Sequence, residues 1–209
     1  ARLDGSELVL SQQRFAYGDT DDPTLFVVPV HLLVDGQESK VLLDGADLRV
    51  PLPSADSTVV VNAGGHGYYR VAYDATLRSR LLGPALATLT VLDRYNLVDD
   101  AWNEVVAGRL AAAEYLAFVE GIGADREYAV WQAIAIGLRG VGRLVDGDAL
   151  EPFRARVAAL VGPALADLGW RPAAGEGDLT AKLRGLLVGV LAVLGNDADA
   201  QQRCRDLVV

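Results

Sequence analysis

The chain has 209 residues, 51% of them hydrophobic and 22% charged, a balance that builds a packed core and excludes a disordered polymer. Its formal net charge of −9 argues against nucleic acid and against an anionic membrane surface as partners. The single cysteine, Cys204, excludes an internal disulfide and fits a cytoplasmic protein. No apolar run reaches the ~20 residues of a membrane span, and the N-terminus carries no signal-peptide pattern. Methionine is absent throughout, and the chain opens inside a strand-like pattern. Both features lead to the expectation of a piece of a longer polypeptide.

The first third reads as strands. Residues 7–15 open as a strand in which Leu8 and Leu10 alternate with Val9 and Ser11. An acidic, turn-rich loop follows at 18–23. Residues 25–34 are the most continuous apolar run, and Pro29 within it predicts a bulge or an edge, since proline cannot donate to a ladder. Residues 40–43 and 48–52 are further short strands between Gly, Asp and Pro turns. The stretch 59–74, VVVNAGGHGYYRVAYD, reads as a hairpin: Val59, Val60 and Val61 lead into a glycine-rich turn, and 68–73 returns. That return strand would place Tyr69, Val71 and Tyr73 on one face. Punctuated strands of this kind predict a small antiparallel β-sandwich.

At Asp74 the apolar period changes from two to about 3.6. Asp74 caps a helix at 75–82, broken by Gly83-Pro84. Helices are then predicted at 91–107, 111–120, 126–144, 149–168, 179–194 and 198–207. Asp125, Asp148, Asp178 and Asp197 stand at their starts, and Gly108, Gly121 and Gly195 at their ends. Medium helices with short loops predict stacked antiparallel pairs, a solenoid-like array without a strict repeat. The expected architecture is therefore α+β as two segregated domains. A β-sandwich over 1–74 precedes an α-helical domain over 75–209.

No catalytic constellation stands out. The only histidines, His31 and His66, are far apart in sequence, whereas zinc needs three or four converging ligands. No nucleophile elbow or phosphate-binding loop occurs. Gly137, Gly140 and Gly142 fall in a helix and read as packing residues. Asp99 and Asp100 are adjacent on a helix and point about 100° apart, poor geometry for an acid–base dyad. One is expected to bond Arg94 or a neighbouring helix, the other to be solvated. Arg70, between tyrosines, either takes a carboxylate ligand or pairs with an acidic residue across the strand–helix boundary. Arg184 sits among apolar neighbours and needs a partner or a cavity. Trp102, Trp131 and Trp170 are expected in the core.

Several motifs in order carry a family resemblance. Asn62-Ala63-Gly64 with Gly67-Tyr68-Tyr69-Arg70-Val71 and Tyr73-Asp74 resembles a segment of the gluzincin zinc aminopeptidases, the family of aminopeptidase N and the puromycin-sensitive aminopeptidase. Leu10-Ser11-Gln12-Gln13-Arg14-Phe15, Phe26 through Val30, Asp93-Arg94 through Ala101, Glu127-Tyr128 with Trp131, Leu168-Gly169-Trp170, Asp178 and Leu183-Arg184 are similar to further family elements. The resemblance implies a β-sandwich followed by the start of a helical domain. Asn62, Gly64, Gly67, Tyr69, Arg70 and Tyr73 are then structural motif residues, and Arg184 faces the interior as a candidate contact to a peptide carboxylate.

It further implies that zinc, its ligands and the general base belong to a catalytic domain elsewhere in a parent chain. The present chain would carry no catalytic residue, metal ligand or cofactor of its own. Its partners would be that catalytic domain and a peptide substrate. The reading from another class is a free-standing scaffold that binds a protein partner on a helical array.

Overall fold

In the computed structural model, residues 1–18 and 21–207 are described; part of the predicted acidic loop, Asp19 and Thr20, lies outside them. The described residues form six strands and seven α-helices. These are β1 (Arg2–Asp4), β2 (Glu7–Ser11), β3 (Val28–Val34), β4 (Gln37–Leu43), β5 (Asp47–Pro51) and β6 (Val59–Val61), then α1 (Ala75–Arg80), α2 (Val91–Val106), α3 (Ala112–Glu120), α4 (Tyr128–Gly142), α5 (Leu150–Leu168), α6 (Asp178–Gly189) and α7 (Ala198–Asp206). The chain is α+β. It divides into two compact units, Ala1–Phe118 and Val119–Val209. The change from strand to helix at Asp74 lies inside the first unit, because side chains of α2 are bonded to the segment that follows β6.

The first unit holds two antiparallel sheets, ordered β1-β2-β5 and β4-β3-β6. Leu8 and Leu10 of one and Val30, Leu32 and Val34 of the other meet in a single apolar core, joined by Val71 and Leu77. Period-two alternation puts Val30, Leu32 and Val34 on one face of β3. Pro29 sits in β3 without a bulge. Asp35 donates its N–H to Thr58, so Pro29, six residues earlier, turns its missing donor to the β6 side. There β6 reaches only Leu32 to Val34, and locally the strand is an edge.

The predicted hairpin at 59–74 is not formed. After β6 the chain makes one 3-10 turn, Ala63–Gly65, and residues 68–73 are not a strand. Asn62 is left-handed at φ 63 and Gly64 follows at φ 72, which turns the chain away from the sheet. The edge of β6 is met by a side chain. The Tyr73 phenol donates to the Val61 carbonyl at 3.2 Å and accepts the Val61 N–H at 2.9 Å.

Other differences are of length. The strand expected over 7–15 stops at Ser11, and that expected over 25–34 begins at Val28. Between them the Gln12 side chain stands in for a ladder partner. Its Oε1 accepts the Phe26 N–H and its Nε2 donates to the Phe26 and Gly45 carbonyls, each at 2.8 Å.

In the second unit α4, α5 and α6 pack on one another. Trp131 is fully buried and donates its indole N–H to the Asp125 carbonyl at 2.8 Å. Asp125 itself accepts the Glu127 N–H, and the helix starts at Tyr128 with Glu127 as cap. Helix α6 continues through a π-helical turn, Val190–Leu194, to Gly195. Asp197 caps α7 by accepting from Ala200. Trp170 is not a core residue: the Arg203 guanidinium lies 4.9 Å from its ring centre.

Removing the Tyr73 hydroxyl leaves both polar groups of Val61 without their partner. Tyr73→Phe is therefore expected to cost about 1–3 kcal/mol, read as a lowered midpoint in urea, while Tyr68→Phe at the exposed neighbour changes nothing.

Candidate functional site

The segment from Asn62 to Asp74 is held against α2 within the first unit, and each bond has a local cause. The Asn62 amide spans its own turn. Oδ1 accepts the Gly67 N–H at 2.7 Å, and Nδ2 donates to the Gly67 carbonyl at 3.0 Å. The Gly64 N–H donates to Asp93 Oδ1 at 2.7 Å. The other Asp93 oxygen closes a capping box with Thr90 at the start of α2. Gly67 has no room for a side chain, since a Cβ there would lie 2.0 Å from the Tyr69 ring.

Two turns further along α2, Asp99 accepts from the Arg70 guanidinium at 2.7 Å, and Asp100 accepts the Val71 N–H at 3.1 Å with Arg70 at 3.6 Å. The adjacent aspartates do not form a dyad, as their spacing predicted. They differ from expectation in that both engage the segment 70–71, and Asp100 is buried, not solvated. Burial pushes the Asp100 carboxyl up to about 7, against the Val71 N–H and Arg70, which favour the ionised form.

Beside this segment lies a cleft of about 870 Å³ whose wall includes Phe15, Phe26, His31, Tyr69, Arg70 and Arg109. Two guanidiniums approach the Phe15 ring, Arg70 at 5.4 Å and Arg109 at 5.5 Å from its centre. The Tyr69 hydroxyl is buried, with the His31 backbone close by but outside bonding geometry. Burial raises its pKa to about 12. His31 and His66, far apart in sequence, stand with ring centres 4.7 Å apart. Desolvation first, then Lys40 and His66, lower the His31 pKa.

Among the described residues no group of three or more His, Cys, Asp or Glu is arranged to hold a metal ion. Among the described residues the two histidines find no third donor, and this set does not fit a zinc site.

Arg184 stands apart in the second unit. Its side chain is buried and already engaged: both terminal nitrogens bond Glu176, Nε donates to the Gly169 carbonyl at 2.8 Å, and Nη2 donates to the Leu168 carbonyl at 3.2 Å. This fork fastens the loop between α5 and α6. The hydrogen bonds from Arg184 lower the Glu176 pKa and raise that of Arg184.

The structure thus brings Asn62, Gly64, Gly67, Tyr69, Arg70 and Tyr73 into one assembly. It adds Asp93, Gln12, Phe15 and Arg109, whose roles the sequence did not reveal. Gln12, Phe15 and Asp93 stood in the sequence only as members of family-like motifs; Asp93 also left the Thr-x-x-Asp pattern of a capping box at Thr90, and Arg109 left no signal. The contacts of Phe15 and Arg109 depend on approaches between distant segments.

Comparison with known proteins follows the same lines. Residues 58–209 match the model of the ERAP1-like C-terminal domain, and the chain belongs to that family. Over 98% of its length it is 28% identical to Aminopeptidase M1-B of Oryza sativa subsp. japonica, covering 25% of that protein. It is 29% identical to the Puromycin-sensitive aminopeptidase of Caenorhabditis elegans over 93% of this chain and 22% of the relative. It is 25% identical to Tricorn protease-interacting factor F2 of Thermoplasma acidophilum over 91% of this chain and 23% of the relative. The chain therefore spans about a quarter of the length of these relatives.

Two pH dependences follow, with opposite signs. The folded Asp100 value, about 7, lies above the ordinary 3.8, so the folded chain keeps a proton that the unfolded chain releases. Its stabilising effect is complete below the unfolded value and is lost as pH rises toward 7, on the order of 4 kcal/mol in all. Asp100→Asn should flatten that loss, so urea midpoints for variant and wild type diverge from pH 5 to 8 in the variant's favour. Parallel curves would contradict the assignment. For Glu176, whose folded value is depressed, stability is present above about pH 4.5 and is lost as pH falls through the folded value. Glu176→Gln should therefore lower the melting temperature at pH 7 and make little difference at pH 3.

Proposed function

We propose that this chain is a non-catalytic part of a longer zinc-dependent aminopeptidase, an enzyme that removes N-terminal residues from peptides. The observation that carries the reading is the alignment of nearly the whole chain with proteins named as aminopeptidases. The chain covers only about a quarter of each, leaving room in such a protein for a separate catalytic domain. The sequence agrees: it has two histidines and no His-Glu-x-x-His, so zinc and the activated water belong to the rest of the enzyme.

In this reading the six strands form a β-sandwich module and the helices the beginning of a solenoid-like array. The array walls off the catalytic chamber and limits the length of peptide admitted. The immediate partners are the catalytic domain of the same polypeptide and the peptide itself. A cytoplasmic location belongs to the same reading, and the free Cys204 is in keeping with it; no helix among the described residues is long and apolar enough to cross a membrane. Arg184 is the candidate contact for a peptide carboxylate. To serve, it would exchange Glu176 for the substrate, one carboxylate for another.

The test uses both the chain and its source cells. An antibody against this chain should detect a band several times its 22.2 kDa mass. The purified 209-residue chain should neither retain stoichiometric zinc nor cleave an aminoacyl-amide. A native band at the mass of the chain itself, or turnover with bound zinc, would overturn the reading.

A further inference from the structure

We propose that Asp146-Gly147, in the connection from α4 to α5, is a site of spontaneous modification, where the aspartate isomerises to isoaspartate. The chain has four Asp-Gly pairs, at 4–5, 35–36, 44–45 and 146–147, and the fold restrains the first three. This chemistry is independent of the peptidase reading above. The glycine nitrogen attacks the carboxyl carbon of the preceding aspartate in its neutral form, and glycine allows the approach because it has no Cβ. The nitrogen gives up its proton and the carboxyl its hydroxyl, which leave together as water. The resulting five-membered succinimide then takes up one water. Opening at the side-chain carbonyl restores aspartate. Opening at the main-chain carbonyl leaves that group as a free carboxylate and routes the backbone through the side-chain carbon. Water is the only co-reactant.

Ring closure needs a carboxyl without a partner, a free glycine N–H, and a nitrogen that can swing onto the side chain. Asp146 and Gly147 are both exposed. The Asp146 carboxylate caps no N–H of the 3-10 turn Gly147–Ala149 and has no bonding partner among the described residues. Gly147 opens that turn, so its N–H is one of the donors a helix start leaves unused. Asp146 is extended, at φ −140 and ψ −179. That ψ sets the Gly147 nitrogen gauche to the Asp146 Cβ, a short rotation from closure. Space is open on the side-chain side of Gly147. One bond restrains the unit, from the Ala149 N–H to the Asp146 carbonyl at 3.2 Å, and that carbonyl is kept in the ring.

Each of the other pairs fails one requirement. Asp35 is left-handed at φ 47, and a left-handed residue turns the following nitrogen away from its own Cβ. Its Oδ1 accepts the Thr58 N–H at 2.8 Å and the Thr58 hydroxyl at 3.1 Å. Hydrogen bonds from Ser57 and Thr58 hold its carboxyl below the ordinary value, so the neutral form is scarce. Asp4 ends β1, paired in the ladder opposite Glu7, and its carboxylate meets Arg49 at 2.9 Å. Asp44 is exposed, but the backbone beyond it is pinned by Gln12. The Gln12 side chain donates to the Gly45 carbonyl at 2.8 Å, and its N–H to the Ala46 carbonyl at 3.1 Å. At Asp146 the product would carry one more main-chain carbon immediately before α5, displacing the carbonyl that Ala149 now meets.

Trypsin, cutting after lysine and arginine, puts the four pairs in four separate peptides, residues 3–14, 15–40, 41–49 and 144–154. The 209-residue chain is aged in warm neutral buffer made with heavy-oxygen water, which marks every ring that opens. It is then digested in ordinary water, and isoaspartate and heavy oxygen are measured in each peptide by chromatography and mass spectrometry. Peptide 144–154 is expected to accumulate isoaspartate about tenfold faster than each of the others, the factor that fixing one residue's backbone is worth. In guanidinium chloride the four rates should converge, because no pair is then restrained. Asp146→Glu cannot close a five-membered ring and should abolish the signal in that peptide at unchanged melting temperature. Equal rates in the folded chain, a faster rate at another pair, or an advantage that survives unfolding would overturn the proposal.

Discussion

Three carboxylates on one face of α2 decide what the chain does after β6. Asp93 takes the Gly64 N–H, and two turns on Asp99 takes Arg70 and Asp100 the Val71 N–H. Seven residues of helix rise about 10 Å, and the segment from Gly64 to Val71 is laid along that length. A strand there would have had to direct the same N–H groups into a ladder. Because the helix claims them, the segment stays irregular in backbone yet tightly specified in position. The burial that raises Asp100 toward neutrality comes with this arrangement, since the helix must approach closely for its short aspartates to reach.

This constraint separates what the sequence disclosed from what it could not. Helix positions were legible because their signals are local: Asp74 and Asp197 cap the helices they precede, and Gly108 ends α2 at φ 73. The alternation of β3 disclosed its buried face in the same way. The return strand at 68–73 was misleading because alternation also arises when side chains, not backbones, do the pairing. Val71 does enter the core, and Tyr69 and Tyr73 pack against it. But Tyr73 lies there to occupy the edge of β6, and that depends on a residue twelve positions away. Arg70 could be expected to find an acid. That the acid would be Asp99 required the fold.

The two units use charge for the same purpose at different depths. In the first, Arg70 remains partly exposed and its aspartates sit on a helix. In the second, Arg184 is buried and draws together the end of α5, the following loop and α6 through a single guanidinium. Five donors in a rigid plane make this economical, and lysine could not reproduce it. Such a fork fixes a loop that has few apolar residues of its own, where hydrophobic packing would give little order.

The phenol of Tyr73 also bears on how the protein behaves in company. A short strand at the end of a sheet offers its free N–H and carbonyl to any passing chain, and sheets grow between molecules by that route. Here the last residue of β6 is answered from within: at Val61 one hydroxyl fills both positions. The sheet is thereby finite on that side, by means of a single oxygen atom, and remains so at concentrations where an open edge would begin to recruit its own kind.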